Sequence, residues 1–160
     1  MSLSTDWPTS ELDPVRRMRI LAAALPRAAF RERVLDAAFA DVWGIAGDLV
    51  RGTPQWKKDV TGLAIVGQEG ELLDVVIRSY LGISLSLRAV LRPGWCVMQG
   101  RLLTVGMAAA AEGNQTRFAH FAALNLPGSS FLSPLLRHRI HHEFQTLERL
   151  AQRDRRGPLV

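Results

Sequence analysis

The middle of the chain alternates apolar and polar residues with the period of a β-strand. The alternation is clearest over residues 82–91, where every second side chain is apolar. Such alternation is typical of an antiparallel sheet with one covered face and one solvated face. The covered face would hold Ile83, Leu85, Leu87, Ala89 and Leu91, opposite Ser84, Ser86 and Arg88. The pattern predicts strands at 30–36, 61–67, 72–79, 82–91, 95–101, 102–110 and 116–125, and the segments 95–101 and 102–110 are either two strands or one strand bent near Gly100.

Apolar residues at helical spacing predict three longer helices. The first spans 12–25, with Asp13 as its N-cap. The second spans 37–50 and is followed at 51–59 by a turn with a short helix. The third spans 130–154 and carries one apolar stripe, formed by Leu132, Leu136, Ile140, Phe144, Leu147 and Ala151.

The predicted sheet and the last predicted helix each have an apolar face that must be buried. The simplest arrangement lays the helix across the concave face of the sheet. Side chains need not fill all the space between a strongly curved sheet and a helix, so the pair can enclose a pocket. The sequence therefore predicts an α+β fold, in which a curved antiparallel sheet wraps around a long C-terminal helix and an extra helix precedes the sheet.

The composition is that of an ordinary globular domain. The 160 residues are 48% hydrophobic and 22% charged, which suits one domain with its own core. No apolar run reaches the roughly 18 residues that suggest a membrane span, and the N-terminal sequence lacks the pattern of a secretory signal. Cys96 is the only cysteine, which excludes an intramolecular disulfide and favours a cytoplasmic location.

The net charge is +5, and all but two of the 20 lysine and arginine residues are arginines. Arginines cluster at 16–19 and at 149–156, but no nucleic-acid-binding motif accompanies them. Charge clusters alone are usually solvated surface, and we interpret these clusters in that way. We therefore expect no nucleic-acid partner and no stable insertion into a membrane.

Three short segments occur in a characteristic order along the chain. LDAAFADVWGIAGDL (35–49) combines a strand end with a helix that carries Val-Trp and a later Asp, PQWKKDV (54–60) contains a Pro-x-Trp loop, and EGNQTRF (112–118) contains a Gly-x-x-Thr-Arg hairpin. In order and spacing they resemble the START-like superfamily, also called SRPBCC, which includes polyketide cyclase/dehydrases and lipid-transport domains. The resemblance covers about residues 29–153.

This resemblance implies the helix-grip fold, with the order β-α-α-β5/6-α, and binding of a hydrophobic small molecule such as a lipid, an isoprenoid or a polyketide in a cavity between sheet and C-terminal helix. The alternative is a polyketide cyclase/dehydratase-type enzyme that acts in the same cavity. The chain would divide into an N-terminal extension with one helix (1–28), a START-like ligand-binding domain (29–154) and a tail (155–160). No cofactor is expected. The expected ligand-binding residues are Trp56, Leu73, Val75, Ile77, Leu85, Leu87, Phe118, His120, Ile140 and Phe144.

The last predicted strand presents a conflict of parity. If Arg117 faces solvent, Phe118 and His120 point inward and Phe121 points outward. An outward phenylalanine needs a cover, supplied by the N-terminal helix or a partner chain, unless a bulge relieves the conflict. The N-terminal helix is accordingly expected to cover an edge strand, to lid the cavity or to mediate a homodimer. His120 would orient a ligand or move a proton, or it is a hydrogen-bonded core histidine whose partner the sequence does not reveal.

The sequence offers little support for a metal site. His138 and His142 are spaced i, i+4 on the last helix, as metal-binding pairs can be. Their face lies opposite Ile140, however, and the sequence has neither an HExxH motif nor an evident third ligand. We therefore expect no metal.

Motifs for familiar catalytic chemistry are also missing. The sequence contains no GxSxG elbow, no P-loop and no dinucleotide fingerprint. In an enzyme of the cyclase type, a few polar groups such as His120 with Arg78 or Tyr80 would polarise carbonyls, although strand parity puts Arg78 on the solvated face. The polarity of the cavity separates the two functions: converging polar side chains would favour chemistry, and a uniformly apolar lining would favour binding.

Overall fold

The computed structural model describes residues 12–157. Within this range, seven strands form one antiparallel sheet in the order β1-β7-β6-β5-β4-β3-β2. The helices are α1 (Pro14–Ala24), α2 (Phe39–Ala46), α3 (Thr53–Trp56) and α4 (Ser133–Arg156), the last preceded by a 3-10 turn at Ser129–Leu132. The strands are β1 (Ala29–Leu35), β2 (Val60–Glu69), β3 (Leu72–Ser79), β4 (Ser84–Arg92), β5 (Trp95–Gln99), β6 (Leu103–Glu112) and β7 (Gln115–Leu124).

The sheet grows by hairpins from β2 to β7, and β1 pairs with β7 to complete it. Strands β5 and β6 are separate, because the chain turns between them and the Gly100 N–H donates to the Leu103 carbonyl at 2.8 Å. Helix α4 lies against the inner face of the curved sheet and buries Ile140, Phe144, Leu147 and Ala151. The predicted α+β architecture with its sheet around the C-terminal helix is therefore confirmed.

Helix α1 lies on the outer face of the sheet, over β6 and β7. The Asp13 carboxylate accepts a hydrogen bond from the Arg16 backbone N–H at 3.0 Å, so the predicted N-cap is present. Strand β7 pairs without a bulge from Gln115 to Leu124, which leaves Phe121 pointing outward. Phe121 is fully buried there in a second apolar cluster, which it forms with Val15, Met18, Ala22, Ala108 and Ala119.

Several element boundaries differ from the sequence-based prediction. Helix α2 ends at Ala46 instead of residue 50, and β2 pairs with β3 as far as Glu69 instead of ending at residue 67. Ile83 is 54% exposed and precedes β4, so its predicted place on the covered face is wrong. The preceding Gly82 has φ 77°, and the tight turn that this conformation allows takes Ile83 out of the sheet. Within residues 12–157 no helix combines the length and the apolar character needed to span a bilayer.

Candidate ligand-binding site

A cavity of about 240 Å³ lies between the inner face of the sheet and α4. Ten of the side chains that line it are apolar, and seven are polar. The apolar wall consists of Val60, Ile77, Leu85, Met98, Leu103, Val105, Ala122, Leu124, Leu136 and Ile140. The polar residues, called here the polar group, are Thr53, Lys57, Asp59, Ser79, His120, Arg139 and Glu143.

The structure brings four of the ten expected ligand-binding residues into this lining: Ile77, Leu85, His120 and Ile140. The other six are buried in the core but do not line the cavity: Trp56, Leu73, Val75, Leu87, Phe118 and Phe144. Aromatic packing fills the space around three of these six, because the Phe118 ring stands edge-on to Phe144 at 5.3 Å and to Trp56 at 5.9 Å. Strand alternation identified the inner face, but it does not say where along each strand the open volume lies.

A buried ion pair and a histidine form the centre of the polar group. The Lys57 ammonium donates to the two Glu143 carboxylate oxygens at 3.1 and 3.2 Å and to His120 Nε2 at 3.1 Å. On the other side of the ring, His120 Nδ1 lies 2.7 Å from the Gly106 carbonyl oxygen. A carbonyl can only accept, so Nδ1 carries the proton and Nε2 accepts from Lys57. This arrangement holds the imidazole neutral between the ammonium and the backbone carbonyl.

The protonation states of this cluster follow from its surroundings. Burial lowers the pKa of His120 and the Lys57 ammonium lowers it further, against the opposing effect of Glu143. Burial alone would raise the pKa of Glu143, but Lys57 and the His120 ring outweigh it and hold that pKa at about 2. At neutral pH Glu143 is therefore a carboxylate and His120 a neutral imidazole.

We expect NMR of the ring nitrogens to show His120 as the Nδ1–H tautomer, with a pKa below 6.5. The unfolded chain then binds this proton more readily than the folded chain does. His120 consequently contributes stability that is fully present above about pH 6.5 and is lost as the pH falls through its lower folded value. Lys57→Met should move the His120 pKa upward. An Nε2–H tautomer or a pKa above 6.5 would contradict this assignment.

Three buried polar atoms beside the cluster have no hydrogen-bond partner among the described residues. They are Thr53 Oγ1, Trp56 Nε1 and Asp59 Oδ1, all from the segment 53–59 that includes α3 and leads into β2. The other carboxylate oxygen of Asp59 accepts from Arg139 at 3.3 Å. Thr53 and Asp59 line the cavity, whereas Trp56 borders an adjoining pocket of about 170 Å³ that shares Asp59, Arg139 and Glu143.

Sequence reasoning missed most of the polar group. Glu143 gave the clearest signal, since it lies three residues after Ile140 and four before Leu147 and so interrupts the buried stripe of α4 with a charge. Lys57 is one of only two lysines in the chain and follows a buried tryptophan. Their meeting was not predictable, because 86 residues separate them in the sequence.

The other residues with potential chemistry lie outside the cavity. Arg78 and Tyr80 are exposed, so neither joins His120 in the lining. His138 and His142 lie 3.1 Å apart at Nε2 on the exposed side of α4, and among residues 12–157 no group of three or more His, Cys, Asp or Glu side chains is placed to hold a metal ion. Cys96 is fully buried, which raises the pKa of its thiol to about 12.

Exposed apolar side chains gather at the end of the sheet next to the cavity. At this end the strands meet the turns 79–83, 100–102 and 125–128. The cavity-lining residues at these strand ends are Leu85, Leu103 and Leu124. The exposed apolar residues of these turns, of the 3-10 turn and of the start of α4 are called here the apolar rim: Tyr80, Leu81, Ile83, Leu102, Leu126, Phe131 and Leu135.

Comparison with solved structures identifies the fold. The structure is similar to TTHA0849 from Thermus thermophilus, with 18% identity over 79% of this chain and 98% of that chain and a TM-score of 0.59. It is also similar to the ZhuI aromatase/cyclase from Streptomyces sp. R1128, with 11% identity over 81% and 96% of the two chains and a TM-score of 0.61. A START superfamily protein from Mycobacterium smegmatis has 15% identity over 79% and 97% and a TM-score of 0.58.

These likenesses show that the chain has the START-like helix-grip fold, as its three sequence segments suggested. At such low identities they show the fold alone. No protein-family model matches the sequence, and a search of curated proteins found no match.

Proposed function

We propose that this protein binds a hydrophobic small molecule in the cavity between its sheet and α4. The observation that carries this proposal is the lining itself, in which ten apolar side chains adjoin a compact polar group. Ligand sites in proteins commonly combine a mostly apolar wall with a few placed polar groups that orient the ligand. Lipid, isoprenoid and polyketide-like compounds have this combination of properties.

The cavity volume limits the size of the proposed ligand. A volume of 240 Å³ lies below the range of about 300–1,000 Å³ that holds drug-sized ligands. A compact compound or one short segment of a longer chain fits this volume, and the apolar rim is the proposed path of access.

An enzyme of the cyclase/dehydratase type is the second candidate, and convergence of the polar group inside the cavity favours it. Lys57 would polarise a carbonyl, and Glu143 or His120 would exchange a proton. Mass spectrometry of protein from its own host, before and after organic extraction, separates the candidates. The extracted compound is then added back to the protein and analysed again. A carrier would leave the compound unchanged, whereas an enzyme would convert it into a different compound.

A homodimer through α1 remains a prediction. The buried face of α1 packs on the sheet of its own chain, so a dimer contact would have to use the outward face, where Ile20 is exposed.

Filling the cavity is expected to abolish ligand binding without unfolding the protein. Ile140 is buried and lines the cavity, so the larger ring in Ile140→Trp would occupy the open volume. We expect retained compound to disappear from native mass spectra, with at least a tenfold loss of affinity for any compound found in the wild type.

Arg153→Trp is the matched control, because Arg153 is exposed near the end of the same helix and does not line the cavity. It should bind as the wild type does. Binding that survives in Ile140→Trp would place the ligand elsewhere and would refute the proposed site.

A further inference from the structure

The apolar rim gathers at one end of the sheet half of the large apolar side chains that are exposed in the described part of the chain. It contains seven of the fourteen such residues among residues 12–157. The other seven are scattered over α1, three strands and two connecting segments. Single exposed apolar residues are normal on a protein surface, whereas a concentration of them marks a surface that contacts a partner or a membrane.

Hydrogen bonds tie the segments of the rim to one another. The Asn125 N–H donates to the Leu102 carbonyl at 2.9 Å, which joins the segment after β7 to the turn between β5 and β6. The Tyr80 N–H donates to the Asp59 carbonyl at 3.2 Å. The Asp59 carboxylate in turn accepts from Arg139 of α4 at 3.3 Å, so the turn between β3 and β4 is linked to α4. The rim therefore belongs to one connected end of the molecule.

The segments that carry the rim contain basic residues and no acidic ones. Neither Asp nor Glu occurs in residues 75–111 or 113–142. Arg78, Arg101 and Arg137 lie in or next to these segments and are exposed. None of the three takes part in any of the ion pairs found among residues 12–157. Their charges are therefore available to an anionic surface.

The opposite end of the sheet has a different arrangement of charge. Its hairpins carry the exposed carboxylates of Glu69, Glu71 and Glu112. Arg92 and Arg117 at that end are paired with Glu71 and Glu112. An anionic surface would consequently attract the end that carries the rim and be repelled by the carboxylates of the other end.

We propose that the apolar rim docks this protein reversibly on an anionic lipid bilayer, with its apolar side chains among the headgroups and Arg78, Arg101 and Arg137 against the lipid phosphates. Such docking strengthens with the apolar area buried and with the number of cations near anionic lipids. A second copy of the chain fits this surface poorly, because a symmetric contact would bring the same cations together. Docking goes beyond the proposed function, since it does not require an occupied cavity.

Co-sedimentation of the full chain with vesicles measures the docking. Vesicles of phosphatidylcholine with about 30% phosphatidylglycerol should bind the protein at least tenfold more strongly than pure phosphatidylcholine vesicles. Raising the salt from about 0.05 M to about 0.5 M should weaken this binding several-fold, because salt screens the attraction. Ile140→Trp should dock as the wild type does, so failure of the docking surface can be distinguished from failure of the proposed ligand site.

Matched double variants test the apolar part of the surface. Leu81→Ser with Phe131→Ser should reduce binding to anionic vesicles at least tenfold. Ile20→Ser with Val66→Ser is the control outside the rim and should leave binding unchanged. All four side chains are between 58% and 76% exposed, so both double variants should keep the melting temperature of the wild type.

A second pair of variants tests the charges. Arg101→Gln with Arg137→Gln should reduce the preference for anionic over neutral vesicles at least fivefold. Arg153→Gln with Arg155→Gln removes the same charge from exposed positions near the far end of α4. This control should leave the preference within twofold of that of the wild type.

Three outcomes would overturn the proposal. The first is equal binding to anionic and neutral vesicles, or binding to neither. The second is binding that survives in Leu81→Ser with Phe131→Ser, since the docking surface would then lie elsewhere. The third is a wild-type dimer, detected by light scattering without vesicles, that the same double variant dissociates, because the rim would then be the contact between two copies of the chain.

Discussion

Glu143→Leu is expected to lower the free energy of unfolding by about 3–5 kcal/mol, because it leaves the Lys57 ammonium without its carboxylate. The side chains of Lys57 and Glu143 are only 12% and 5% exposed, so water cannot replace the lost partner easily. Removing one member of a buried ion pair costs far more than the pair itself contributes. Denaturant unfolding monitored by circular dichroism measures the change.

Two controls distinguish the loss of stability caused by an unpaired buried charge from a general loss of packing. The double variant Lys57→Met with Glu143→Leu should recover most of the lost stability, since neither charge then remains unpaired. Asp74→Asn breaks an exposed pair, in which Arg88 and Asp74 are 62% and 50% exposed, and should cost less than about 1 kcal/mol. A double variant no more stable than Glu143→Leu would show that the ion pair is not the source of the loss.

The double variant also bears on function. If it binds the same compound as the wild type, Lys57 and Glu143 shape the cavity and do not form the essential contacts of the ligand. Loss of binding in a stable double variant would instead assign the ion pair a direct role.

The architecture could be predicted from the sequence because each element carries its own period. The alternation in β4 and the stripe of α4 each define an apolar face, and one domain offers few ways to bury both. The polar contacts in the lining of the cavity could not be predicted in the same way. The contacts of Lys57 with Glu143 and of His120 with Gly106 depend on strands and helices that meet only after folding.

Phe121 shows how a local conflict in the sequence can indicate a tertiary contact. Strand parity pointed Phe121 away from the main core and so required a cover, but it could not choose between α1, a partner chain and a bulge. The structure assigns the cover to α1. Gly106 makes the close approach possible, because a Cβ at that position would lie 2.7 Å from Met18 Sδ and would also clash with the Phe121 ring. Strand parity alone could not show that position 106 needs a residue without a side chain.

Met18→Ala is therefore expected to lower the free energy of unfolding by about 2–5 kcal/mol, the usual cost of removing a large buried apolar side chain. Met18 is fully buried between α1 and the sheet and lies in the same cluster as Phe121 and Ala108. The truncation would leave a void above Gly106 and remove a large side chain from the cluster that encloses the Phe121 ring. Chemical denaturation at two protein concentrations, about 20-fold apart, measures the change.

Ile20→Ala provides the matched control for this prediction. Ile20 lies on the same helix but is 58% exposed, so its truncation should alter stability by no more than about 0.5 kcal/mol. If α1 covers its own sheet, the Met18→Ala effect will be the same at both concentrations, because unfolding of a monomer does not depend on concentration. A loss that shrinks at the higher concentration would mean that a second chain contributes to the cover. Equal effects of the two substitutions would contradict the packing of α1 on Phe121.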